Sequence, residues 1–268
     1  MSASTLVHPP APAPADALPP AAGLRLRRLN LLAALLHAVS GAAVLALANG
    51  FTLPVTAAYL TGPPGSPAEM TTVADVSVAG AVALFLFLSA LFHLLVAAPG
   101  LVTTYTRGLA AGQNMFRWVE YSFSSSVMIV VIAQLCGVTD VAALLSIAGV
   151  NASMIMFGAL QEKYHRPGDG GLLPFWLGCV AGIVPWLAIL VYVLTPGSGS
   201  AAEPPAFVYA IVISLFVFFN VFAVVQWLQY RQVGRFREYL VGERAYIALS
   251  FVAKSVLAWQ VFAGTLAG

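Results

Sequence analysis

The stretch Tyr246-Ile-Ala-Leu-Ser250-Phe-Val-Ala-Lys254-Ser-Val-Leu-Ala-Trp259-Gln-Val-Phe262 is apolar but for small hydroxyls, a glutamine and one lysine about midway. An ammonium at the centre of a membrane-spanning helix costs ~2.5–3.5 kcal/mol on insertion scales, so Lys254 needs a partner or a chemical use. A desolvated lysine can supply the neutral amine that condenses with an aldehyde to a Schiff base. Working outward, the ionisable group at comparable depth is Glu120, in Gln113-Asn-Met-Phe-Arg-Trp-Val-Glu-Tyr-Ser-Phe-Ser-Ser-Ser126. A structural Lys–Glu ion pair is the plain alternative to a chemical site, since buried charges are also kept as such pairs.

The remainder of the chain fixes the class. Of 268 residues, 60% are hydrophobic and 8% charged, and the mean hydropathy of +0.90 lies far outside soluble domains. At ~20 apolar residues per span, seven spans are expected near 29–50, 74–98, 113–136, 140–161, 173–195, 206–230 and 244–266. The fold class is therefore all-α, a seven-transmembrane-helix bundle over residues 24–268, preceded by a disordered Pro/Ala-rich tail over 1–23. That tail lacks a basic start and a continuous apolar run, which argues against a cleaved signal peptide. Residues 51–73 hold Pro54, the Gly62-Pro-Pro-Gly65 cluster and Pro67, and are expected to form a structured loop, with a hairpin as one form. Pro185 falls inside the fifth span and is expected to kink it. Cys136 and Cys179 read as packing residues.

Eleven of the twelve Lys and Arg residues fall on one side of this arrangement, and Lys254 is the remaining one. By the positive-inside rule the N-terminus is expected in the cytoplasm and the C-terminus outside, with the 51–73 loop extracellular. Lys254 lies ten residues past Arg244, hence ~15 Å into the membrane. Glu120 enters from the same side, so the two can meet. Ser250 precedes Lys254 by one turn and Ser124 follows Glu120 by one turn, each on the face of its charged neighbour. Either hydroxyl can bond the pair or simply its own helix.

His37 and His93 fall toward the cytoplasmic half, with Gln226 and an interfacial Arg117 on the same side. They read as packing residues or as the lining of a polar cavity able to hold a proton. Metal-ligand spacing is lacking, so no metal site is expected. Trp176, Phe219, Trp227 and Trp259, with Met154, Ile155 and Gly158, read either as ordinary packing or as the wall of an elongated apolar pocket. No phosphate loop, His-Glu-x-x-His run or nucleophile elbow is present, and neither an enzyme nor a nucleic-acid partner is expected.

Val119-Glu120-Tyr-Ser-Phe-Ser-Ser-Ser126 and Leu249-Ser250-Phe-Val-Ala-Lys254-Ser-Val-Leu-Ala-Trp259-Gln-Val-Phe262, with an inward N-terminus and His37 beside His93, resemble heliorhodopsins across all seven spans. The resemblance implies all-trans retinal held by Lys254 as a protonated Schiff base, with Glu120 as counterion and Ser250 beside the linkage. It further implies His37, His93 and Gln226 around a cytoplasmic-side cavity, and Met154, Ile155, Gly158, Trp176 and Phe219 around the polyene. A homodimer in the membrane lipid is the family's habit. A carboxylate three turns beyond the counterion, the proton donor of microbial outward pumps, is missing: Val131 stands there. A photosensor of slow photocycle acting on a cytoplasmic signalling partner is therefore expected. A light-gated ion or proton channel, or a retinal-free seven-span transporter or receptor, are the alternatives.

Overall fold

The computed structural model describes residues 18–195 and 204–267. Its elements are α1 (Pro20–Leu47), a hairpin of β1 (Thr52–Leu60) and β2 (Ala68–Ser77), then α2 (Val78–Ala97), α3 (Val102–Ala110), α4 (Met115–Leu135), α5 (Val141–Tyr164), α6 (Leu173–Leu194), α7 (Ala206–Tyr230) and α8 (Tyr239–Val261). A π-helical turn, Phe262–Leu266, extends α8. Seven of these helices are long and apolar enough to cross a membrane, as the run of apolar segments requires. The spans expected from sequence match them, with shifts at the ends. Helix α1 already begins at Pro20, inside the stretch expected to be a disordered tail, because Pro20 sits where a first-turn N–H would be unpaired anyway. The tail before residue 18 lies outside the described residues.

Local chemistry sets several helix starts. Ser77 accepts a hydrogen bond from the Gly80 amide at 3.1 Å, Asn114 from Arg117 at 3.1 Å and Asp140 from Ala143 at 2.9 Å, each satisfying an orphan donor of the first turn. Helix α3 is an addition to the expected layout. It is short and amphipathic, and it buries Tyr105 and Leu109.

The helices form a closed ring: α1 packs on α2, α2 on α4, α4 on α5, α5 on α6, α7 on α8, and α8 returns to α1. One end of the ring carries the arginine-rich connections and the other the hairpin. The hairpin-end half is filled by an apolar core that includes Val44, Val82, Phe85, Leu86, Ile129, Ile132, Leu215, Leu257 and Val261. The antiparallel hairpin pairs Thr52 with Ser77 through Leu60 with Ala68, with an irregularity between Val55 and Thr56. At that point the Thr56 amide donates to the Thr139 carbonyl at 2.8 Å, and the Thr56 hydroxyl donates to that of Thr139 at 3.0 Å. The start of α5 thus holds the base of the hairpin. Thr56→Val keeps the shape and the amide but removes the hydroxyl bond; thermal unfolding of the full chain in detergent should read a loss of about 1 kcal/mol.

Candidate functional site

Lys254 is buried in the middle of the ring. Its Nζ donates to Glu120 Oε1 at 2.9 Å and to Ser250 Oγ at 2.8 Å. The spacing of four residues puts Ser250 and Lys254 on one face of α8, as expected. Glu120 Oε1 also accepts from Ser89 Oγ on α2 at 2.6 Å, a partner that sequence reasoning did not single out. Lys254 and Glu120 are 3% and 5% exposed, so each charge depends on the other and on the serines for compensation. Ser124 is buried one turn from Glu120, and its hydroxyl has no hydrogen-bond partner among the described residues.

From Lys254 a cavity of about 170 Å³ runs between α4, α5, α6, α7 and α8. Met154, Ile155, Gly158 and Phe219 line it, as expected, and so do Ser124 and Ser250. Trp118, Tyr121, Trp186 and Tyr246 complete its aromatic walls. Trp186 meets Phe216 and Phe219 edge-on at 5.3 and 5.5 Å between ring centroids, a favoured geometry. Gly158 has a packing reason to be glycine: a Cβ there would stand 2.5 Å from the Trp118 ring. An aromatic-walled cavity with a buried amine in its lining fits an apolar aldehyde.

Three tryptophans that were candidates for this wall do not line it. Trp176 is 54% exposed on α6, and Trp259 is 41% exposed on α8, where it packs on Phe262; both face outward from the ring. Trp227 packs with Leu172, Phe175 and Tyr230 near the basic end. Gln226 is also displaced from its expected place: it lines the large cavity and donates to the Gly158 carbonyl at 3.1 Å, because its face of α7 turns to α5.

A second, smaller cavity of about 40 Å³ lies toward the basic end and is lined by Asn30, Ser89, His93, Tyr105, Asn114, Arg117, Glu120 and Glu243, among others. His37 and His93 stack with ring centroids 5.7 Å apart. His93 Nδ1 lies 2.7 Å from Asn30 Oδ1, whereas both nitrogens of the buried His37 lack a partner among the described residues. His93 lines this cavity, as expected, whereas His37 does not and packs against His93 and Phe251.

Arg117 departs from its expected interfacial position. It is buried, with Nη2 2.6 Å from Glu162 Oε1 on α5 and Nη1 2.5 Å from Glu243 Oε2 on α8. The guanidinium fork suits two carboxylates at once. Asn114, Trp118 and Tyr239 also donate to Glu162, and Tyr105 and Asn114 donate to Glu243. Tyr105, on α3 outside the spans, has its phenol pKa pushed well up by burial and then by the adjacent Glu243 carboxylate. Glu162 and Glu243 were missed as buried groups because Lys163 and Arg244 beside them read as helix ends, while α5 and α8 extend past those points.

Solved structures place this architecture. The transmembrane domain of a Salpingoeca rosetta rhodopsin phosphodiesterase superposes with a TM-score of 0.64 at 15% identity, over 91% of this chain and 88% of that one. Exiguobacterium sibiricum rhodopsin gives 0.60 at 16% identity, over 89% and 95%. A cyanorhodopsin from the cyanobacterium Tolypothrix gives 0.58 at 15% identity, over 91% and 94%. The fold is that of the microbial rhodopsins. No curated protein matches the chain. The heliorhodopsin family profile matches residues 26–266, and the chain belongs to that family: it is a retinal-binding, light-sensing, multi-pass membrane protein.

Removing Arg117 would leave two buried carboxylates without a cation. Arg117→Ala should cost about 3–5 kcal/mol, and Arg117→Lys should recover only part, because an ammonium cannot bridge both acids in the same fork. Thermal unfolding of the two variants beside the parent measures both effects.

Proposed function

We propose that this heliorhodopsin is a photosensor without efficient ion pumping, in which Lys254 holds all-trans retinal as a protonated Schiff base and Glu120 is the counterion. The observation that carries the reading is the Lys254–Glu120 contact of 2.9 Å, with Lys254 in the lining of the aromatic cavity. When bound, retinal supplies visible absorption and a light-driven isomerisation. The protein does the rest. Burial alone favours a neutral nitrogen, and the Glu120 carboxylate, steadied by Ser89, favours the charged one. Ser250 accepts from the same nitrogen, while Met154, Ile155, Gly158, Phe219 and Trp186 fix the direction of the bound polyene and exclude water.

Two features support sensing over pumping. Ser89, Asn30 and His93 line the second cavity toward the basic end together with Glu120, so a proton leaving the Lys254 nitrogen has Glu120 and then His93 to receive it. On the hairpin side the apolar core closes the way, and Val131 occupies the place of a pump's donor. The internal movement of a proton on one side of the membrane is a change of state without net transport. We read the basic end as cytoplasmic, with the N-terminus inside and the C-terminus outside, from the arginine distribution. A homodimer in lipid, coupled to a cytoplasmic signalling partner, completes the reading.

Retinal added to the expressed apoprotein should produce a visible absorption band that hydroxylamine bleaches and Lys254→Ala abolishes; a colourless parent would sink the proposal. Glu120→Gln should move the band to longer wavelength or convert it to near-ultraviolet absorption of a deprotonated linkage, and an unchanged spectrum would assign the counterion elsewhere. Under patch clamp, illumination should give only a brief transient. A sustained photocurrent would replace the sensor with a channel.

A further inference from the structure

One hydrogen-bond path leaves the histidine pair and reaches the Arg117 cluster, and its geometry fixes its direction. Asn30 Nδ2 donates to the Leu26 carbonyl at 2.9 Å and to Tyr105 Oη at 3.3 Å, so the other amide atom, Oδ1, is the one that faces His93 Nδ1 at 2.7 Å. An amide oxygen only accepts. His93 therefore carries its proton on Nδ1 when neutral, an assignment inferred from the network, and its Nε2 is the atom open to a new proton. Beyond Asn30, Tyr105 Oη donates to Glu243 Oε1 at 3.0 Å, and Glu243 is held through its other oxygen by Arg117. Every member, from His93 through Asn30 and Tyr105 to Glu243, lines the second cavity.

We propose that Tyr105, acting through Asn30, is the positioning residue that couples the charge of His93 to the Arg117–Glu162–Glu243 cluster. The inference rests on the light-sensing reading for its trigger, though the coupling itself belongs to the protein without chromophore. The physical basis is the mutual polarisation of bonds in a buried chain. A positive His93 pulls harder on Asn30 Oδ1, which sharpens the amide's donation to Tyr105 Oη and the tyrosine's donation to Glu243. The carboxylate that Tyr105 grips more tightly is held less by Arg117. By linkage the effect runs equally in reverse. The charged and titratable groups around His93 are His37 on α1, Glu120 on α4 and Lys254 on α8. Around Glu243 they are Tyr105 on α3, Arg117 on α4 and Glu162 on α5. Tyr105 is thus the one titratable side chain bonded into both groups through the path described, and it sits on a helix that is not a span.

The test is a double-mutant cycle on the retinal-free full chain labelled with ¹⁵N-histidine. Glu243→Gln should displace the His93 Nδ1 resonance in the parent. In the Tyr105→Phe background, which keeps the ring against Phe116 and loses only the hydroxyl, that displacement should shrink by about five-fold or more. Equal displacements in both backgrounds would overturn the proposal, since the field of Glu243 would then act through space. Light-minus-dark infrared spectra of the retinal-loaded chain give an arm that does not need Glu243→Gln to fold. Besides the Glu120 carboxylate change, which should persist in every background, a second carboxylate band should change on illumination in the parent and be lost in both Tyr105→Phe and Asn30→Leu, while the dark visible band persists. A second carboxylate change that survives both substitutions would also overturn it. A parent that takes up no retinal would remove the light trigger and leave the resonance test to decide the coupling alone.

Discussion

An ammonium and a carboxylate buried side by side at mid-membrane constrain everything around them. Neither Lys254 nor Glu120 is tolerable alone in this interior, since breaking a buried pair leaves an uncompensated charge at a cost of about 3–5 kcal/mol. The pair therefore dictates which helices are neighbours: α8 and α4 must face each other at this depth, and α2 must bring Ser89 to the shared carboxylate oxygen. A retinal linkage on Lys254, as proposed, would keep the same requirement, because a protonated Schiff base is also a buried cation. The ion pair is a reason for the helix order and, with the proposed linkage, the place where light would act on it.

Polarity is distributed unequally about that pair. Toward the hairpin, Val82, Phe85, Leu86, Ile129, Ile132 and Leu257 form one apolar core. Toward the basic end, Glu162, Glu243, Arg117, His37, Asn30, Asn114 and Tyr105 are buried. Buried polar groups are costly unless bonded, and among the described residues the side-chain atoms left without a partner belong to His37, Arg117, Ser124, Tyr246 and, near the hairpin end of α4, Gln134. His37 stacks on His93, and Ser124 and Tyr246 line the large cavity.

The sequence was legible where the relevant geometry is local to one helix or set by hydropathy. Seven spans, the hairpin region, and the pairing of Ser250 with Lys254 follow from segment length, turn residues and the four-residue repeat. Glu120 was legible by depth, since both helices enter from the arginine-rich side. What was not legible depends on helix rotation in a bundle whose members are apolar nearly all round. Trp176 and Phe219 look alike in sequence, but one faces out and the other into the cavity. Gln226 was placed in the wrong cavity for the same reason. Ser89 with Glu120, and Arg117 with Glu162 and Glu243, join residues far apart in the chain, so no spacing rule could pair them. Helix α3 escaped notice because nine residues with two buried side chains make a weak periodic signal.

The last turn of α5 shows how an internal change can reach the surface. Glu162 belongs to the Arg117 cluster, and its neighbour Gln161 belongs to the loops. Gln161 donates to the Gly171 carbonyl at 2.7 Å and its own carbonyl accepts from Tyr230 Oη at 3.0 Å, which ties α5 to the end of α7. From there the Gly168 amide donates to the Tyr230 carbonyl at 3.0 Å, and Gln232 Nε2 donates to the Pro167 carbonyl at 3.2 Å. Gln232 holds a φ of 53° to make that reach, a conformation uncommon for a residue with a side chain. The α5–α6 and α7–α8 connections are thereby clasped, and both carry arginines to the outside. A side chain cannot move its helix turn without moving the next residue on it, so loosening Glu162 from Arg117 bears directly on Gln161 and on the clasp. The arginine cluster and the basic surface are thus joined through adjacent residues of α5 and the bonds that they make.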